Sequence, residues 1–208
     1  MRGTVERIID RDPCLSVIAH VSERYSEFYQ SDQIDLGGNP SGIAIEEGQF
    51  LYGLLRLIKP LHVLETGTNL GISTRFMSLA LEDNGFGDII TIEHDSTVCG
   101  RVRKKLEPYK NVSLIEGKVE DFTPGGVFEF MWLDTELAIR YKELVRFYDF
   151  LTPGGMVGIH DLWDLNMHEF GGIPFGMRCW LDERTMSVVN MRAAHGVSLF
   201  QRIWEVRI

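Results

Sequence analysis

The chain has 208 residues, 44% hydrophobic and 25% charged, ordinary values for one α/β domain with an appendage and enough length to bury a core. Its net charge of −9 argues against a nucleic-acid partner, because phosphate binding needs a basic surface. No apolar run approaches the roughly 18 residues of a membrane span.

In chain order, the opening Met-Arg-Gly-Thr-Val-Glu-Arg has no apolar h-region, so no secretory leader is expected. Residues 1–42 are expected to form an N-terminal helical and loop lid. Ser16 to Gln30 sets Val17, Val21, Tyr25 and Phe28 on one side of a helix, and the Gly37-Gly38-Asn39-Pro40-Ser41-Gly42 cluster then reads as loop. The main domain is expected over 43–208. A helix pattern runs from Ile43 to Ile58 through Phe50, Leu51, Leu54 and Leu55, and Pro60 stops it.

From there short apolar strands alternate with amphipathic helices, and that alternation implies a parallel sheet. Strands are predicted over 61–65, 88–93, 111–115, 128–133 and 155–160. The intervening helices carry Ile72, Phe76, Leu79 and Ala80; then Val98, Val102 and Leu106; then, over 138–151, Tyr141, Leu144, Val145 and Tyr148. Two last strands, 186–191 and 197–204, face each other across Ala193-Ala194-His195-Gly196 and so run antiparallel. Cys14, Cys99 and Cys179 are odd in number and far apart, without metal-type spacing, and read as reduced thiols of a cytoplasmic protein.

The most informative stretch is Glu65-Thr66-Gly67-Thr68-Asn69-Leu70-Gly71-Ile72-Ser73, a strand end, a glycine turn and a helix start, followed by Glu93 at the next strand end. Glycines let backbone approach a ligand, and an acid at the second strand tip can accept hydrogen bonds from ribose hydroxyls. A dinucleotide fold needs G-x-G-x-x-G to cradle pyrophosphate. Here only Gly67 and Gly71 fall in the turn, and Glu65 would repel phosphate. The loop suits a ligand with a cationic amino-acid tail, so S-adenosylmethionine is expected and a nicotinamide cofactor is not.

With Glu116-Gly117-Lys118-Val119-Glu120-Asp121, Leu133-Asp134 and Leu151-Thr152-Pro153-Gly154-Gly155-Met156-Val157, these motifs resemble the class I S-adenosylmethionine-dependent methyltransferases from about Ile43 to Ile208. The resemblance implies a Rossmann-like α/β fold: a seven-stranded sheet of five parallel strands plus a C-terminal antiparallel hairpin, with helices on both faces. It also implies that Glu65, Gly67, Asn69 and Ser73 surround the methionine part of the cofactor, that Glu93 holds the ribose, and that Val119 and Glu120 meet the adenine, with Asp134 beside the cofactor.

A second cluster, Asp134-Thr135-Glu136-Leu137 with His160-Asp161, is similar to the metal site of catechol-type and antibiotic-sugar O-methyltransferases. Two departures stand out: Glu136 replaces the second Asp of the sugar-type motif, and His160 replaces the first Asp of its Asp-Asp pair. The resemblance implies a divalent metal, Mg²⁺ or Mn²⁺, on Asp134, His160 and Asp161. Imidazole in place of a carboxylate weakens a magnesium site. Without a metal, His160 or Glu136 could take the acceptor's proton, with Asp134 in the same catalytic group.

Trp163, His168, Phe170, Phe175, Met177 and Trp180 either line an acceptor pocket or cover the sheet. The leading expectation is methyl transfer to a hydroxyl of a small molecule: a sugar, a phenol or a natural-product intermediate. A small-molecule N-methyltransferase and a catalytically silent S-adenosylmethionine-binding partner subunit are the alternatives, and the intact Glu65, Glu93 and Asp134 positions count against decay. No nucleic-acid or membrane partner is expected, and a homo-oligomer stays open.

Overall fold

The computed structural model describes residues 42–162, 180, 183–191 and 196–203. The chain divides into two compact units, Met1–Ser41 and Gly42–Ile208. The expected helix over 16–30, the loop that follows it and the aromatic residues 163–177 lie outside the described residues.

Helix α1 (Ile45–Ile58) starts where the Ala44 N–H donates to the Glu47 carboxylate at 2.8 Å. It ends at Lys59, whose left-handed backbone (φ 49) lets its N–H reach the Leu55 carbonyl, and Pro60 prevents continuation. Strand β1 (His62–Thr66) leads through the glycine turn into α2 (Ile72–Asn84), which is bounded by Gly71 and Gly85, both at positive φ. Then follow β2 (Asp88–Glu93), α3 (Ser96–Leu106), β3 (Val112–Glu116) and a 3-10 turn at Val119–Asp121. The remainder is β4 (Phe128–Leu133), α4 (Leu137–Phe147), β5 (Leu151–His160), β6 (Thr185–Met191) and β7 (Val197–Arg202).

The seven strands form one sheet in the order β3-β2-β1-β4-β5-β7-β6. β1 to β5 run parallel, and β7 is antiparallel to both β5 and β6. The expected five-plus-two sheet is the one observed. Side chains alternate across it. Leu64 packs in a core with Leu144 and Phe147 of α4, while Glu65, one residue on, meets α2 on the other face through Ser73 and Thr74. Helices therefore cover both faces.

Two predicted boundaries differ. The helix expected over 138–151 stops at Phe147, continues as a 3-10 turn over Tyr148–Phe150, and gives way to a strand from Leu151. The Thr152-Pro153-Gly154-Gly155 turn signal is absorbed as an irregularity: Leu151 pairs with Phe128 and Met156 with Phe130, so the residues between bulge out of β5. Val145, expected on the apolar face, is exposed, and Phe147 is buried.

The strand order reverses between β1 and β4, and a crevice opens at their carboxyl ends, where open α/β sheets bind ligands. The two strand ends are tied there, because the Asp134 N–H donates to the Thr66 carbonyl at 2.9 Å.

Candidate active site

A cavity of about 460 Å³ lies at this reversal point, within the usual range for a small-molecule site. Its walls include Gly67, Asn69, Glu93, Val119, Glu120, Asp134 and Glu136. Of the residues expected around a cofactor, Glu65 and Ser73 lie behind the wall. Ser73 and Thr74 hydroxyls each donate to Glu65 at 2.5 Å. Burial pushes the Glu65 carboxyl up to about 7; hydroxyls of Ser73, Thr74 and Thr91 pull it down, and the Asp134 charge adds to the rise. In this structure Glu65 fixes the start of α2 beneath the turn.

Gly67 sits at φ 82, and a Cβ there would come within 2.3 Å of the Asp134 carbonyl oxygen. The close approach that demands glycine is thus between two backbones, the turn and the β4 end. Asn69 also has a left-handed backbone (φ 46), and its N–H donates to Glu93 at 2.9 Å. The Asp95 N–H donates to the other Glu93 oxygen at 3.0 Å. A carboxylate has about four acceptor positions, so two backbone bonds aim Glu93 and leave capacity for hydroxyls of a ligand. Cys99 lies underneath, fully buried, its thiol 3.5 Å from the Glu93 carbonyl oxygen.

The charges on the wall are one-sided. Glu93, Asp95, Glu120, Asp134 and Glu136 are acids, and Lys118 and His94 are the basic groups. Ile92, Val98, Val119 and Ile139 supply flat apolar surface. Such a lining disfavours a pyrophosphate and favours a ligand with an apolar ring, hydroxyls and positive charge. The residues present fit S-adenosylmethionine.

Beside the cavity, Asp134, His160 and Asp161 do come together, with a potential ligand atom of each within 4.8 Å of the others. The spacing would allow one ion, but the donor set does not fit it. Arg140, from α4, places one guanidinium nitrogen 3.2 Å from Asp134 Oδ1 and 3.0 Å from Asp161 Oδ2. Its other nitrogens donate to the Thr135 carbonyl at 2.7 Å and to the His160 carbonyl. His160 is engaged at both ring nitrogens: Nδ1 lies 2.8 Å from Asp134 Oδ1 and Nε2 lies 3.1 Å from Glu47 Oε2. Burial alone would lower its pKa. The hydrogen bonds to Asp134 and Glu47 and the charges of Asp134 and Asp161 prevail and hold it up at about 9. With a carboxylate against each ring nitrogen, neither nitrogen is open to a metal or to an acceptor's proton in this arrangement.

Glu136, at the start of α4, is exposed and lines the cavity. Sequence reasoning missed Arg140 and Glu47. Each is a buried charge in register with apolar positions of its helix, Arg140 with Leu144 and Phe147 and Glu47 with Leu51, and that mismatch was the available signal. Trp180 packs edge-on to Tyr148 with ring centroids 4.7 Å apart, against the core and not at the cavity.

Residues 64–162 match the family model described as a methyltransferase domain. Caffeoyl-CoA O-methyltransferase 5 of Nicotiana tabacum is 28% identical over 129 residues, 57% of this chain and 54% of that protein. The chain thus spans little more than half the length of the curated relatives it matches. Among solved structures, the methyltransferase PaMTH1 of Podospora anserina, solved with S-adenosylhomocysteine, superposes with a TM-score of 0.71 at 17% identity, covering 95% of this chain and 96% of that one. An O-methyltransferase of Bacillus cereus, also solved with S-adenosylhomocysteine, gives 0.69 at 15% identity, covering 90% and 97%. The N-methyltransferase NodS of Bradyrhizobium japonicum gives 0.60 at 15% identity, covering 76% and 96%. Over residues 64–162, just under half of its length, the chain is similar to the methyltransferase domain family, and its fold is that of methyltransferases solved with S-adenosylhomocysteine.

Proposed function

We propose that this methyltransferase domain transfers the methyl group of S-adenosylmethionine to a hydroxyl of a small molecule: a phenol, a sugar or a natural-product intermediate. The observation that carries the reading is the acid-lined cavity at the β1/β4 reversal, with Glu93 aimed by two backbone N–H groups and Asp134 at the opposite wall. The names of the curated relatives, caffeoyl-CoA O-methyltransferases, favour oxygen over nitrogen as the acceptor atom. The bound cofactor supplies an electrophilic methyl on a sulfonium.

The chain's own residues do the rest. Glu93 would accept from the ribose hydroxyls, and Val119 and Ile139 would offer apolar surface to the adenine. The carboxylates near the β4 end favour the positive sulfur and amino group. Glu136, on the cavity wall, would take the proton the acceptor hydroxyl gives up as its oxygen gains the methyl group, with S-adenosylhomocysteine as the other product. Asp134, fixed by Arg140 and His160, keeps that wall in place at the moment of transfer.

Methyl-labelled S-adenosylmethionine with a panel of catechols, simple phenols, sugars and amines tests the reading, and label is expected in an alkali-stable methyl ether. Label on nitrogen alone would move the assignment to N-methylation. Calorimetry showing NAD bound more tightly than S-adenosylhomocysteine would remove it.

A further inference from the structure

The five groups Glu47, His160, Asp134, Arg140 and Asp161 form a chain of alternating charge, with contacts of 3.1, 2.8, 3.2 and 3.0 Å in that order. Three carboxylates are matched by a guanidinium and an imidazole. Such a cluster of acids at a ligand crevice needs positive charge to stay ionised side by side. Here the protein provides it from α4.

We infer that Arg140 is a built-in replacement for a divalent cation, so that Asp134 and Asp161 form a guanidinium-locked site that excludes metal. Three observations support this. The guanidinium nitrogen already bridges the two carboxylates from which a metal would draw its ligands. It cannot swing away cheaply, because Arg140 is buried and its remaining nitrogens are held by the Thr135 and His160 carbonyls. The third donor, His160, has a carboxylate oxygen against each ring nitrogen, at 2.8 and 3.1 Å, so neither nitrogen is open to an ion. A dication brought to this place would meet a guanidinium at contact distance, and at a partly buried site water screens that repulsion only in part. Through Asp134, Arg140 acts as a positioning residue for the cavity wall.

The test measures metal binding directly and needs no acceptor. The full chain, stripped of metal and saturated with S-adenosylhomocysteine, is titrated with Mn²⁺ and followed by electron paramagnetic resonance. The unaltered chain is expected to leave Mn²⁺ free. Arg140→Ala removes the competing cation and is expected to bind Mn²⁺ roughly tenfold or more tightly than the unaltered chain. That gain should vanish in Arg140→Ala combined with Asp134→Asn. Stoichiometric Mn²⁺ on the unaltered chain, lost in Asp134→Asn, overturns the inference. So does an Arg140→Ala variant that folds and gains nothing. Should Arg140→Ala not fold, Arg140→Gln keeps most of the packing and is read in the same way, while the unaltered chain alone still decides the first outcome. The inference rests on the methyltransferase reading only for its setting. Failure to bind S-adenosylhomocysteine in a control calorimetric run would sink that reading and leave the metal result standing.

Discussion

Glu93 is where the turn and, on the proposed reading, the cofactor would share one carboxylate. Two of its acceptor positions hold Asn69 and Asp95, so removing it loosens the turn and would take away the proposed ribose contact as well. Glu93→Ala is expected to weaken S-adenosylhomocysteine binding by about 1.5–3 kcal/mol, the range for hydrogen bonds to a charged group, as measured by calorimetry. An unchanged affinity would place the ribose elsewhere. Gly67 behaves differently. Because its missing Cβ faces the Asp134 carbonyl, Gly67→Ala must shift the β4 end and is expected to cost about 1–3 kcal/mol of stability by chemical denaturation, before any ligand is added. The sequence made Glu93 and Gly67 legible because a motif marks both. It left Arg140 and Glu47 unread because what makes them matter is their neighbours in space, residues 20 and 113 positions away.

At the level of elements, the order of strands and helices was readable from hydrophobic period almost throughout, since each strand of the parallel sheet is a short apolar run and each helix has one apolar stripe. Reading failed where tertiary pairing overrode local turn chemistry, at the Pro153-Gly154 bulge that lengthens β5. The packing of α1 on α2 was equally invisible beforehand. It depends on Gly48, whose absent Cβ would stand 2.2 Å from the Phe76 ring. Gly48→Ala gains helix propensity, about 1 kcal/mol, but overpacks this contact by about 1–3 kcal/mol. The expected net result is a less stable domain with Glu47 drawn away from His160. A lowered His160 pKa by nuclear magnetic resonance would register that displacement; an unchanged one would mean that α1 tolerates the methyl in place.

For the whole molecule, two of the groups whose pKa is raised, Glu65 and His160, set a pH dependence. Glu65 is pushed up from 4.5 to about 7, so its contribution is complete below pH 4.5 and is lost as pH rises through 7. His160 is held up from 6.5 to about 9, so its contribution is complete below pH 6.5 and is lost as pH rises through 9. Both slopes have the same sign, and each is worth up to about 3 kcal/mol. Unfolding by urea is therefore expected to become easier stepwise from pH 4.5 to 9. Glu65→Gln should flatten the lower window and His160→Gln the upper. A profile level between pH 6.5 and 9 in the unaltered chain would show that the imidazole is not held protonated between Asp134 and Glu47.

The thiol beneath Glu93 turns this wall of the cavity into a clock. Cys99 is fully buried, and burial, followed by the charges of Glu116 and Glu93, pushes its pKa up, so it is both hidden and protonated. A thiolate reagent can reach it only when the β2–α3 junction opens. The rate at which the Cys99 peptide gains an alkyl mass thus counts openings of the floor under the cofactor. S-adenosylhomocysteine, by bonding to Glu93, should slow that rate in proportion to site occupancy, giving a binding assay that requires no knowledge of the methyl acceptor.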